Sequence, residues 1–190
     1  WSNHAGGATL GTTSAQTGQW YHVVSVVEAG VGRQLWVNGI KEADLAGGTP
    51  TLPGPEIFIG TKGQGGNYWD GKIDDVGIWG RTLTDAEIEA IYVKGRAGVD
   101  LATQLPPQSP ASGLVSYWDF EDRTTDMGRH FQSSSGSADD NLSPQGGAAN
   151  YAAGKVGRAL RIGVEAGDAN YLDAPYSADV DLPAIYAIEA

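Results

Sequence analysis

A few side chains in this sequence stand in patterns that could do chemistry. Asp74 lies in "GKIDDVGIWG", a stretch of strand composition, where Asp74, Val76 and Ile78 share one face if no bulge intervenes. A carboxylate on an apolar face must be paired, hydrogen-bonded or metal-bound. Tyr68 and Trp69 follow the Gly-rich "KGQGGN" that ends at Asn67, and they are the best candidates for exposed rings that stack on a ligand. The other tryptophans, Trp1, Trp20, Trp36, Trp79 and Trp118, are expected mostly in the core. Asp139, Asp140 and Asn141 form a second oxygen-rich cluster, which reads as a solvated loop. His4, His22 and His130 stand at no metal-ligand or nucleophile spacing. "GQGGN" lacks the Lys-Ser/Thr of a phosphate loop, which leaves Lys62 a surface charge.

Composition narrows the partners. The formal net charge is −11, and an acidic surface repels phosphate backbones, which excludes nucleic acid as the expected partner. Excess carboxylates suit either plain solubility or hard cations such as calcium. There are no cysteines, so disulfides, thiolate metal sites and cysteine nucleophiles are excluded. No apolar stretch approaches the roughly 20 residues that span a bilayer. The chain opens on Trp1 without a leader and stops inside the apolar "AIYAIEA", which reads as a window from a longer polypeptide.

The elements that must position these residues are mostly strands. "WYHVVSVVE" (20–28) is β-branched and aromatic, with apolar residues on both faces, as in a strand buried between layers. In "RQLWVNGIKEAD", Asn38-Gly39 predicts a hairpin with a type I′ turn. "EIFIGT" (56–61) and "GKIDDVGIWG" are further strands. Thr84 and Glu87 form a capping box and Leu83 a hydrophobic staple, which predicts one short helix at about 84–93. Gly95 and Gly98 can stop it. Pro106, Pro107 and Pro110 then favour an extended linker over 95–112. Strand character restarts at "GLVSYWDFED", where Leu114, Ser116, Trp118 and Phe120 oppose Val115, Tyr117, Asp119 and Glu121. A polar stretch to about Gly154 is expected to be mostly loop. "GRALRIG", "NYLDAP" and "YAIEA" complete the strands. Many short strands with frequent turns indicate an all-β antiparallel sandwich or jelly roll.

The motifs resemble those of the laminin-G-like, concanavalin A-like jelly rolls. "TGQWYHVVSVVEAGVGRQLWVNGI" and "IFIGTKGQGGNYWDGKIDDVGIWGRTLTDAEIEAIY" resemble the closing half of such a domain. Its ending is matched by Asp70, Gly71, Ile73, Asp74, Asp75, Val76, Trp79, Arg81, Leu83 and Thr84. "GLVSYWDFED", "DNLSPQGGAANYAAGKVGRALRIGVEAGDANYLDAP" and "YAIEA" are similar to the opening half. The halves stand in reversed order. Residues 1–94 therefore read as the end of one domain, 95–112 as a linker and 113–190 as the start of another. The two are either tandem neighbours or complementing halves of one permuted domain. The middle strands of the family pattern are absent, which favours the tandem window.

The resemblance implies more than a fold. Many members hold a structural calcium ion near the first and last strands, which makes Asp74 the candidate ligand, with Asp119 or Glu121 as partners. The alternative for Asp74 is hydrogen bonding to loop N–H groups. Concanavalin-type hydrolases carry an E-x-D-x-x-E run that sets the acid and nucleophile at a fixed separation. No such run is present, so no enzyme activity is expected. The expectation is a non-catalytic binding or adhesion module of a larger extracellular protein, with Asn67, Tyr68 and Trp69 toward carbohydrate or a protein surface. Two alternatives stay open: an accessory module of a secreted glycoside hydrolase, and a structural spacer in a repeat array.

Overall fold

The computed structural model describes residues 2–3, 9–28, 30–47, 56–61, 67–101, 113–121, 129–130 and 142–175. The expectations for Trp1, His4, Lys62, the stretch 102–112, Asp139 to Asn141 and the last strand at 186–190 lie outside the described residues.

β1 (Ser2–Asn3) and β2 (Thr9–Leu10) form a short antiparallel pair. β3 (Val23–Glu28), β4 (Gly32–Val37) and β5 (Ile40–Ala46) form an antiparallel meander. Asn38 (φ 52°) and Gly39 (φ 74°) turn β4 into β5, both in the left-handed region that a type I′ turn requires. Gly39 has a second role: a Cβ there would fall 2.6 Å from Tyr92 Cδ1, so its absence lets the helix close on the turn.

β6 (Glu56–Ile59), β7 (Gly71–Ile73) and β8 (Val76–Trp79) follow. The single strand expected over "GKIDDVGIWG" is therefore two. Asp75 has φ 50°, a conformation that Asp tolerates better than β-branched residues do. The chain bends there, and β7 and β8 enter different sheets.

α1 (Asp85–Arg96) begins as its sequence predicts. The Thr84 side chain accepts from the Glu87 N–H, and the Glu87 carboxylate accepts from the Thr84 N–H at 2.8 Å. Leu83 and Ile88, the staple pair, are both buried. Arg81 grips Glu87 through two hydrogen bonds of 2.6 and 2.9 Å. Gly95 lies inside the helix, and Gly98 (φ 79°) takes the left-handed position after it.

β9 (Leu114–Trp118), β10 (Arg129–His130), β11 (Ser143–Gln145), β12 (Asn150–Ala153), β13 (Arg158–Ile162) and β14 (Tyr171–Pro175) complete the order. The stretch expected to be mostly loop thus contributes β10, β11 and β12. They become strands by pairing with β9, β14 and β13 respectively.

The described strands pair antiparallel, as expected, and the helix is short. Three pairings join the early part of the chain to the late part: β6 with β14, β7 with β13, and β8 with β9. One core gathers Ile59, Ile73, Ile78, Trp118, Leu160 and Leu172, drawn from both parts. A second core packs Val24, Trp36, Trp79, Ile88, Leu101 and Tyr117 between the meander, α1 and the other side of β8 and β9. The β8–β9 pair is thereby covered on both faces. Among the described residues no helix is long and apolar enough to cross a membrane.

Candidate functional site

The aromatic pair singled out in the sequence lies on the surface. Trp69 N–H donates to Gly60 O at 2.7 Å, and Asn67 takes φ 54°, so the segment before β7 is fixed rather than merely connecting. Tyr68 is 47% exposed and Trp69 38%. A Cβ at Gly71 would fall 2.8 Å from Trp69 Nε1, and glycine there lets the indole lie close over the strand start.

Tyr68 does not stand alone. Its ring is parallel to that of Tyr171, with centroids 5.9 Å apart and planes 7° apart. Phe58 meets Tyr171 edge-on at 5.9 Å and 61°. These are the offset and T-shaped geometries that aromatic quadrupoles favour. Ile59 and Leu172 point into the core, so their neighbours Phe58, Tyr171 and Asp173 face outward by strand alternation. Gln145 on β11 donates from Nε2 to Asp173 Oδ1 at 2.9 Å. The sequence marks Tyr68 and Trp69 as exposed rings, and they are exposed; it does not mark Phe58, Tyr171, Gln145 and Asp173. The alternation of "NYLDAP" carries part of that signal. The adjacency of β6, β14 and β11 does not show in it.

The carboxylates form a separate arrangement. Asp74 is 4% exposed. Its Oδ2 accepts the N–H groups of Lys155 (2.8 Å) and Val156 (3.0 Å). Glu121 Oε1 accepts the Arg158 N–H at 3.1 Å, and Asp119 Oδ1 accepts the Glu121 N–H at 3.3 Å. Asp74 and Glu121 thus grip the turn between β12 and β13 from two sides. Glycine is needed within it. A Cβ at Gly154 would lie 2.6 Å from Asp74 Oδ2, and one at Gly157 (φ 57°) would strike the Glu121 carboxylate. Burial pushes the Asp74 carboxyl up to about 6, with the charge of Glu121 adding to it and the Val156 and Lys155 amides opposing.

This arrangement bears on a calcium ion. One oxygen of each of the three candidate carboxylates accepts a backbone N–H. Asp74 Oδ1 is buried with no hydrogen-bond partner, which leaves it available to a cation. Among the described residues, no three His, Asp or Glu side chains gather closely enough to form a metal cluster by themselves. A calcium ion would need carbonyl or water oxygens as well.

Next to Asp74 lies a polar knot that sequence reading missed altogether. The Tyr117 hydroxyl lies against Asp75 Oδ1 and 3.0 Å from Asp100 Oδ1. One hydroxyl proton serves two carboxylates. Burial pushes Asp75 up to about 7, opposed by the Tyr117 hydroxyl and reinforced by the charges of Asp74 and Asp100. Burial and the neighbouring Asp75 charge raise the tyrosine as well. A cleft of about 260 Å³ opens over Asp74 and Asp75, walled by Trp20, His22, Tyr92 and Lys155. His22 stacks on Tyr92 with centroids 5.7 Å apart. Burial lowers its imidazole to about 4, so it is neutral at pH 7.

Residues 1–89 match the family model of the concanavalin A-like lectin/glucanases superfamily. Comparison with curated proteins and with solved structures gave no match.

Proposed function

Because residues 1–89 match the family model of the concanavalin A-like lectin/glucanases superfamily, we propose that this chain is a non-catalytic binding module that recognises carbohydrate. The family supports a lectin-like or binding role in general. The observation that carries the finer reading is the surface pair Tyr68 and Trp69, large rings held out by a fixed segment. Exposed aromatic faces on a rigid support bind the apolar face of a sugar ring at little entropic cost. The sequence holds no E-x-D-x-x-E run, which supports a module without its own hydrolytic chemistry. The setting we propose is a larger extracellular protein, with neighbouring domains of the same polypeptide as further partners. A structural calcium ion, where Asp74 supplies Oδ1 with Asp119 and Glu121 nearby, belongs to the same reading.

Within that reading, the two parts of the chain act as complementing halves. The strand pairings between β6 and β14, β7 and β13, and β8 and β9 support this over tandem neighbours.

Trp69→Ala tests the carbohydrate assignment. On a glycan array the parent binds and the variant loses the signal, while its melting temperature stays within about 2 °C, as is usual for an exposed site. A parent that binds no glycan leaves only a spacer role.

A further inference from the structure

We infer that the outer face of β6, β14 and β11 is a track for an uncharged polysaccharide chain, and that this face, rather than the Asn67–Trp69 loop alone, sets the ligand class. The inference rests on the carbohydrate reading above. Its materials are the residues that no sequence motif marked: Phe58, Tyr171, Gln145 and Asp173.

The stacking surface is backed from beneath. Tyr171 covers one face of Tyr68, so the exposure of Tyr68 lies on its other face and edge. Phe58 supports Tyr171 in turn. A ring held this way loses little freedom when a pyranose lies flat on it. The polarised C–H groups of the sugar meet the negative face of the aromatic ring.

The polar neighbours suit hydroxyl groups. Gln145 and Asp173 are joined by one hydrogen bond of 2.9 Å. The amide keeps a second N–H and its carbonyl oxygen, and the carboxylate keeps a second oxygen. Together they offer both donor and acceptor to a hydroxyl, which needs both. The bond between them holds the pair in place before a ligand arrives.

Charge decides which glycan. β6, β14 and β11 contain no Lys or Arg, and Asp173 places a carboxylate on their outer face. The chain as a whole has net charge −11. A sulfated or uronic polymer would bring like charge against this face, whose described strands carry no cation, which is unfavourable. An uncharged polymer meets no such barrier, and its binding is insensitive to salt.

The experiment is affinity electrophoresis and calorimetry of the full chain against β-glucan, mannan and dextran as uncharged probes, with heparin as the polyanion. The expected result is binding to at least one uncharged polymer, unchanged between low and high salt, with none to heparin. Tyr171→Ala should weaken it at least tenfold, Gln145→Ala several-fold, and Tyr171→Phe little, because the ring is kept. Circular dichroism confirms that each variant is folded. If Trp69→Ala abolishes binding while Tyr171→Ala and Gln145→Ala bind as the parent does, the track is overturned and the carbohydrate reading stands. Tighter binding to heparin, or binding that salt removes, overturns the uncharged class. No binding to any of the four polymers overturns track and reading together.

Discussion

Leu160→Ala probes whether the early and late parts of the chain form one folding unit. Leu160 is fully buried on β13, opposite Ile73 of β7 and Tyr151 of β12. It packs in a core that also holds Ile59, Val76 and Ile78 from the early part. Truncating a buried leucine removes its transfer free energy and leaves a cavity, at a cost of about 2–5 kcal/mol. For a chain of this size, 1 kcal/mol lowers the melting temperature by about 2–4 °C, so a fall of roughly 4–20 °C is expected. The total stability of a domain is only about 5–15 kcal/mol, so the loss is a large fraction of it. Hydrogen exchange read by mass spectrometry locates the effect. Protection should fall together in peptides over β13 and over β7 and β8, because the cavity weakens the core they share. If exchange quickens only between 142 and 175 while 71–79 keeps the parent rate, the seam is not cooperative and the reasoning fails.

Tyr117→Phe removes the hydroxyl that Asp75 and Asp100 share; it should cost about 1–3 kcal/mol in urea unfolding, because a buried acceptor loses its donor. Glu87→Gln should flatten the acid limb of stability. The Arg81 contact holds the Glu87 carboxyl at about 2 in the folded chain, against an ordinary 4.5. Its contribution is thus present above pH 4.5 and lost as pH falls through about 2. With a side chain 40% exposed, the contribution discounts to about 1 kcal/mol, read as the difference between parent and variant in urea curves at pH 5 and pH 2. If calcium is held at Asp74, a chelator should lower the parent melting temperature and leave Asp74→Ala unmoved. An unchanged parent curve would leave the three carboxylates as clamps on backbone amides alone.

What was legible in the sequence was local. The Asn38-Gly39 turn and the Thr84–Glu87 capping box are set by residues within a few positions of one another, so their sequence patterns carry the structure. The burial of Asp74 was anticipated from parity along an unbroken strand. Asp74 is buried, but for another reason: the strand breaks at Asp75, and the buried carboxylate accepts amides about eighty residues away. The Tyr117 knot and the Phe58–Tyr171 contact join residues about forty and over one hundred positions apart. Strand composition reports burial and not partner, so such pairs are invisible until register is known.

The seam and the candidate binding face are the same structural fact seen twice. Tyr68 and Phe58 come from the early part of the chain, while Tyr171, Gln145 and Asp173 come from the late part. Neither part alone carries the backed ring and the amide–carboxylate pair. The face therefore exists only once β14 has paired with β6, which also requires the core beneath it to close. A ligand lying across both parts would bind only the closed form, and so would stabilise the seam by mass action. Damage deep in the shared core should then weaken binding without touching a contact residue. Specificity for this surface and cooperativity of the fold follow from one set of strand pairings.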